Sequence, residues 1–494
     1  MKHSKFALAF LLILAQLAVS CGSGGTTTDT TPAGTADAGT TVGEPSEYTA
    51  PNVNYNGETF TFLDYDTDEF TWQAATYSDI HAEEESGEPI NDAQYKRNIK
   101  VEELLNVNIE THPVGGVKRT ENGAELEKLV LAGDNSVDAA FIFVSSLPSL
   151  LTQPGMLQDI NAIDTLNPEA SWWDQNAIDA YTLEDSLRVI TGDVSIYTTF
   201  CPLLMYFNKE MVDQFHIPNL YDKVRDGTWT WDAVFEYCEL VSSDLNGDSK
   251  MGVEDRYGIG LQYTSINSVL TGCDVNVTEK DADGNIAFTI NTEKTAECVN
   301  VFVPFFNDSS VNCIANLYTK QYNNVFYDLH MPMFKEGRML FLHNQLLVAF
   351  ELRAMDADYG LLPMPKYNED QDAYCTPQSG SWQTMLCIPA TNERSEMTGH
   401  IFDALGFYSQ QYVTPEFIDT TVHSKSLRDE DSAQMLEIIL DTLVYDIGRI
   451  YDWGGVGDML YKMTKNKSKS FASEYAKIES AMKAEYEATM ESLR

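Results

Sequence analysis

The sequence predicts an α/β protein whose strands alternate with helices around mainly parallel sheets. Three stretches carry that reading. "GETFTFLDYD" alternates apolar and polar residues, as a first strand ending at Asp64 does. "NDAQYKRNIKVEELLNVNIETHPV" reads as a helix followed by a strand. "GAELEKLVLAGDNSVDAAFIFVSSL" repeats the pattern, and its run "AAFIFV" is apolar throughout, as a strand covered on both faces is. Repeated strand–helix units give a parallel sheet with helices on its faces.

The elements follow in order. Asn91 is expected to cap the first helix. Sheets of this kind collect ligands at the carboxyl ends of their strands. That puts Asp64 and Tyr65, after the first strand, on one rim with Ser145 and Ser146, after "AAFIFV". A second unit opens at "LLMYFNKEMVDQF", with a strand from Leu203 to Phe207 and Asn208 as a helix cap. In "DGTWTWDAVFEYCELVSSD", Thr230 takes the N-cap position, and Trp231, Val234, Phe235, Cys238 and Val241 form an apolar face. "DADGNIAFTINTE" is a turn and a strand, and "EKTAECVNVFVPFF" a helix. "MPMFKEGRMLFLHN" is a helix, a turn at Gly337 and a buried strand. Two prolines make "YGLLPMPKYNEDQD" a crossing segment rather than a central strand. The C-terminal stretch is mostly helical, with Met435, Leu436, Ile439, Leu440 and Leu443 on one side of a helix.

A chain of 494 residues is long enough for two domains with proper cores. Its 75 acidic and 32 basic residues give a formal charge of −43, which repels phosphate backbones and argues against nucleic acid as a partner. The same field argues against a basic patch on anionic lipid. The opening "MKHSKFALAFLLILAQLAVSC" has Lys2 and Lys5, then an apolar run too short to span a bilayer, which is the pattern of a secretion signal over 1–20. Residues 21–54 are rich in Gly, Thr and Ala and form a flexible tether. The seven later cysteines have scattered spacing and no CxxC, so buried free thiols are expected rather than a disulfide framework or a zinc site. No GxSxG, HExxH or P-loop occurs, and no catalytic cofactor is expected.

Two resemblances add to this. "LAVSC" resembles the lipobox of bacterial lipoproteins, with Ala18 where Leu is commoner, and implies cleavage before Cys21 and lipid attachment to it. "VDAAFIFVSSLPSLLTQPGMLQDI", "LLMYFNKEMV", "GTWTWDAVFEYC", "MFKEGRMLFL" and "YGLLPMPKY" resemble, in order, elements of the family 1 extracellular solute-binding proteins, the maltose-binding-protein-like receptors of ABC importers. "NDAQYKRNIKVEELLNVNI" and "RDEDSAQMLEIILDTLVYDIGRIYDWGG" resemble a large subgroup from gut Firmicutes. The resemblance implies a periplasmic-binding-protein-like type II fold: two α/β lobes, an interlobe ligand cleft and hinge crossings. Lobe one would hold 55–198 plus 326–365, and lobe two 199–325 plus 366–494. Hinges would lie near "SIYTTFCPL", Tyr318–Phe326 and "PMPKYNED". It implies a monomer outside the cell, joined to the membrane through its lipid alone. Such a protein is not an enzyme: it hands a small solute to ABC permease subunits.

"DLNGDSKMGVED" places Asp244, Asn246, Asp248, Lys250 (through its carbonyl) and Asp255 at positions 1, 3, 5, 7 and 12 of a calcium-type loop. Ser249 stands where glycine is usual, and Asp255 where glutamate is. A structural calcium ion is expected here, as a staple and not as the function; a set of Asx turns without an ion is the alternative.

For the ligand, sugars call for aromatic faces with amides and carboxylates around them. Trp382, in "PQSGSWQTMLCIP", and Tyr197, at the first hinge, join Asp64, Tyr65, Ser145 and Ser146 as ligand-binding candidates. Trp172 and Trp173 read as filling a seam and Trp231 as core. A mono- or oligosaccharide is the expected solute. The rivals are a peptide or polyamine in the same receptor and, less favoured, a surface glycoside hydrolase.

Overall fold

The computed structural model describes residues 48–66, 78–115, 119–281, 284–352, 355, 357–422 and 430–493. Cys21, with the leader and most of the tether, lies outside them. The chain starts with β1 (Glu58–Tyr65), α1 (Pro89–Leu105), β2 (Val107–Val114), α2 (Glu121–Ala132) and β3 (Ala139–Phe143). α1 begins ahead of Asn91. Pro89 fills its first turn, where a missing N–H costs nothing, and Glu88 is the cap, accepting the Asn91 N–H at 2.8 Å. Three short helices follow: α3 (Leu147–Leu151), α4 (Gln175–Tyr181) and α5 (Ile196–Phe200).

The chain then enters a second unit. This comprises β4 (Leu203–Asn208), α6 (Trp231–Val241), β5 (Tyr257–Leu261), α7 (Ile266–Gly272), a hairpin of Thr278–Lys280 with Ile286–Phe288, α8 (Glu293–Phe306), β6 (Asn312–Ile314), β7 (Met339–Gln345) and β8 (Tyr359–Leu362). Asn208 caps the helix after β4, accepting the Met211 N–H at 3.0 Å. Thr230 holds the N-cap position of α6, but its side chain makes no capping bond. β9 (Thr384–Cys387) and α9 (Ser395–Tyr408) return to the first unit. The chain ends in α10 (Glu430–Asp441), α11 (Ile447–Tyr451), α12 (Val456–Lys465) and α13 (Phe471–Leu493), which pack with the second, α11 and α13 also touching α3 of the first.

Two sheets result. The first has strand order β9-β3-β1-β2, parallel except for β9. The second has order β8-β4-β7-β5-β6 and is mixed. This corrects the expected lobe boundaries. β7 and β8, within 326–365, pair in the second sheet, while β9, assigned to lobe two, completes the first. Among the described residues the crossings are therefore Phe200–Leu203 and the run from β8 to β9. Tyr318–Phe326 joins β6 to β7 inside the second lobe and is no hinge. β8 is an edge strand, which suits a segment followed by Pro363 and Pro365.

The cores are aromatic. Trp231 packs edge-on to Phe302 at 5.1 Å, and Trp229 donates to the Pro363 carbonyl at 2.9 Å. Trp172 and Trp173 are buried and both donate to Asp403, closing a seam between 167–174 and α9. All seven later cysteines are free, and all but Cys375 are buried. Among the described residues no helix is long and apolar enough to cross a membrane.

The calcium reading is not supported. Asp244 accepts the N–H groups of Gly247 and Ser249 at 2.6 and 2.7 Å. Asn246 accepts from Asp248 N–H, Asp248 from Lys250 N–H, and Asp255 from the N–H groups of Leu245 and Gly252. The side chains close the loop on its own backbone as successive Asx turns. Among the described residues no group of three acidic, histidine or cysteine side chains is placed to hold a metal.

Two outcomes follow. A methyl group at Gly192 would lie 2.2 Å from the Trp172 carbonyl oxygen and 2.8 Å from the Trp173 Cα. Gly192→Ala should therefore lower the unfolding free energy by about 1–3 kcal/mol, read as an earlier urea midpoint. Millimolar calcium or a chelator should leave the melting temperature where it was.

Candidate functional site

A cleft of about 600 Å³ opens between the two sheets' domains. It draws on both. The first lobe supplies Arg119, Tyr181 at the end of α4, and Trp382 and Gln383 leading into β9. The second supplies Gln262, Asn267 and Ser268 just beyond β5, and Asn344 and Gln345 at the end of β7. Tyr445, Asp446 and Arg449 close it from the C-terminal part. β5 and β7 are parallel, so their carboxyl ends meet at one rim, where open α/β sheets bind ligands.

Trp382 is on the cleft wall but only 9 % exposed. Phe143 meets it edge-on at 5.6 Å and Tyr197 lies 6.2 Å away. The Arg119 guanidinium sits 4.4 Å from its ring centroid, a cation–π contact. The ring thus meets the cleft together with a cation rather than as a bare face.

The other candidates are not on the wall. Tyr197 is fully buried and supports Trp382 from behind. Tyr65 packs on Phe143 at 4.9 Å and donates to Asp79 at 3.1 Å. Asp64 accepts the Tyr65 N–H at 2.9 Å and the Ser78 hydroxyl. Asp79 accepts the Ile196 N–H at 2.6 Å, tying this layer to α5. Burial pushes both carboxyls well above the usual range, and for Asp64 the neighbouring Asp79 charge adds to it. Ser146 is buried against α2, where a methyl on Gly123 would fall 2.4 Å from its Cβ. Ser145 is half-buried beside it. The cleft residues that sequence reasoning missed had a signal: "LHNQ" ends a buried strand, and the strand-end rule applies to the second sheet as well as the first.

The wall's charges are largely settled internally. Asp446 accepts the N–H groups of Val277, Thr278 and Gly448 at 2.6, 3.1 and 3.0 Å and lies 3.4 Å from Arg449. Arg449 also donates to Asn267 at 3.1 Å. Asp452 accepts the Gly457 N–H at 2.6 Å, and burial raises its carboxyl. Burial lowers His343 to about 4, so it is neutral at physiological pH beside the Ser268 hydroxyl at 3.1 Å. What remains on the surface is mostly carboxamide, hydroxyl and aromatic.

No protein-family profile and no curated protein matches the chain. Solved structures do. It is similar to the ABC substrate-binding protein Lmo0181 from Listeria monocytogenes in complex with cycloalternan, at 12% identity and TM-score 0.52 over 86% of this chain and 99% of that one. It is similar to the extracellular solute-binding protein from Staphylococcus aureus in complex with maltose, at 12% and 0.54 over 88% and 97%. It is also similar to UgpB from Mycobacterium tuberculosis in complex with glycerophosphocholine, at 14% and 0.55 over 81% and 97%. The chain has the two-lobed fold of these solute-binding proteins.

The buried Asp64–Asp79 layer has a pH signature. An acid whose folded pKa lies above its unfolded value, about 3.9, stabilises the fold below that value and loses this contribution as pH rises through the folded range. The melting temperature should therefore fall between about pH 5 and pH 8. Asp64→Asn should flatten that slope, as followed by circular dichroism.

Proposed function

We propose that the protein is an extracellular receptor that captures an uncharged carbohydrate between its lobes and delivers it to an ABC importer. It is tethered outside the cell through lipid on Cys21 and acts without catalysis. One observation carries the ligand class. The wall combines carboxamides, such as Gln262, Asn344 and Gln383, with the rings of Tyr181, Trp382 and Tyr445, while its two acids are engaged by backbone N–H groups. Carboxamides donate and accept at once, as sugar hydroxyls do. A polyamine would need free carboxylates, and Asp446 is already held by three backbone N–H groups and Arg449. Cycloalternan and maltose in the similar proteins support a saccharide, while the glycerophosphocholine of the third supports a polar phosphate ester as second reading.

Thermal-shift screening of the full chain against maltose, maltotetraose, cyclodextrins, spermidine, peptides and glycerophosphocholine tests this. A saccharide should raise the melting temperature and contract the radius of gyration in solution scattering. Shifts confined to spermidine or peptides, or a saccharide that is consumed, would overturn it.

A further inference from the structure

Gln383 differs from its neighbours on the cleft wall in what its amide bonds to. The residue is fully buried, yet it contributes to the wall. Its Oε1 accepts the Tyr181 hydroxyl at 2.9 Å, while its Nε2 is closed off from solvent without a hydrogen-bond partner. Its backbone is fixed as well, because its carbonyl accepts the Val144 N–H at 2.8 Å. A walled-in donor without an acceptor destabilises a fold, so most buried polar atoms are paired. Such a group beside a ligand cleft is explained if the amide turns onto an acceptor of the guest as the cleft fills.

The rest of the arrangement holds the amide in place. Tyr181 ends α4, and the second lobe grips that helix at both ends. At the N-cap, Asp174 accepts the Ala177 N–H at 3.0 Å with one oxygen and the Tyr445 hydroxyl at 2.7 Å with the other. At the far end, Lys280 Nζ donates to the Thr182 carbonyl at 2.6 Å and to that of Asp179. The Tyr181 ring also meets Tyr445 edge-on at 6.1 Å. The hydroxyl that orients the Gln383 amide is thus set by contacts that exist when the lobes are together.

We propose that Gln383 determines specificity: its Nε2 is kept for an acceptor oxygen of the guest, and Tyr181 is the positioning residue that turns the amide that way. This deepens the solute-binding reading and rests on it. The guest must offer a ring, glycosidic, hydroxyl or carbonyl oxygen at this point, and one offering only an amine is discriminated against.

Two arms test it. The first measures affinity for the tightest-binding saccharide among maltose, maltotetraose and the cyclodextrins. Gln383→Glu keeps the acceptor for Tyr181 but, once ionised, has no proton to donate. Burial at this site raises the introduced carboxyl, so its affinity should fall at least about tenfold at alkaline pH, where the carboxyl is ionised, the scale of one lost hydrogen bond to a ligand. The deficit relative to wild type should shrink as the pH drops and the introduced carboxyl protonates. Unchanged affinity, or a loss that no acid pH recovers, overturns the proposal.

The second arm needs no ligand. The double variant Tyr181→Phe with Gln383→Leu removes both members of the pair. If the pair serves the guest, the ligand-free protein should melt at or above the wild-type temperature. A fall of several degrees assigns the pair to holding the fold and overturns the proposal. Should no saccharide bind the wild type, the carbohydrate reading fails, and this second arm still decides the role of Gln383.

Discussion

The antiparallel seat of β9 on β3 is the contact on which the site depends. Thr384 lies opposite Phe143 and Cys387 opposite Ala140, and all four residues of β9 are buried. Each large apolar side chain so buried contributes about 1.5–3 kcal/mol, which holds a strand that enters from another domain. Ile190 pairs with Leu386 on the other side of the strand. The Thr384 carbonyl accepts the hydroxyls of Thr191, Ser195 and Thr198. Every contact that fixes Thr384 also fixes the two residues before it, Trp382 and Gln383, at the mouth of the cleft.

A strongly acidic chain builds a nearly neutral cleft. The formal charge is −43, yet the acids on the wall are turned to backbone donors and to Arg449. Asp446 does two jobs this way. It caps α11 through Gly448 and ties the hairpin at Val277 and Thr278 to the cleft. The excess negative charge is left to surfaces that keep the protein soluble.

Much of the fold was legible, because local periodicity encodes single elements. β1 to β3 and the capped strand at Leu203–Asn208 follow from the pattern of apolar residues. Sheet membership did not follow, since β9 pairs with β3 across more than 240 residues, Thr384 with Phe143 and Cys387 with Ala140, and its four-residue sequence says nothing of its partner. The calcium reading failed for a related reason. Alternating Asp and Asn residues look the same whether they face an ion or their own backbone. At the site, Trp382 was legible as an aromatic ring after small residues in a crossing segment. Asp64 and Tyr65 were placed on the rim because they end a strand. That strand lies between two others, however, and Ser78 to Ile80 cover its end. Burial depends on which segment folds over a strand, and spacing does not record it.

The grip on α4 bears on how the molecule parts. Tyr445 and Lys280 hold opposite ends of one seven-residue helix. Spreading the halves has to strip a shared acceptor from the first turn and a cation from the last carbonyls in a single movement. Part of the resistance to gaping therefore acts through this small bolt, at both of its ends together.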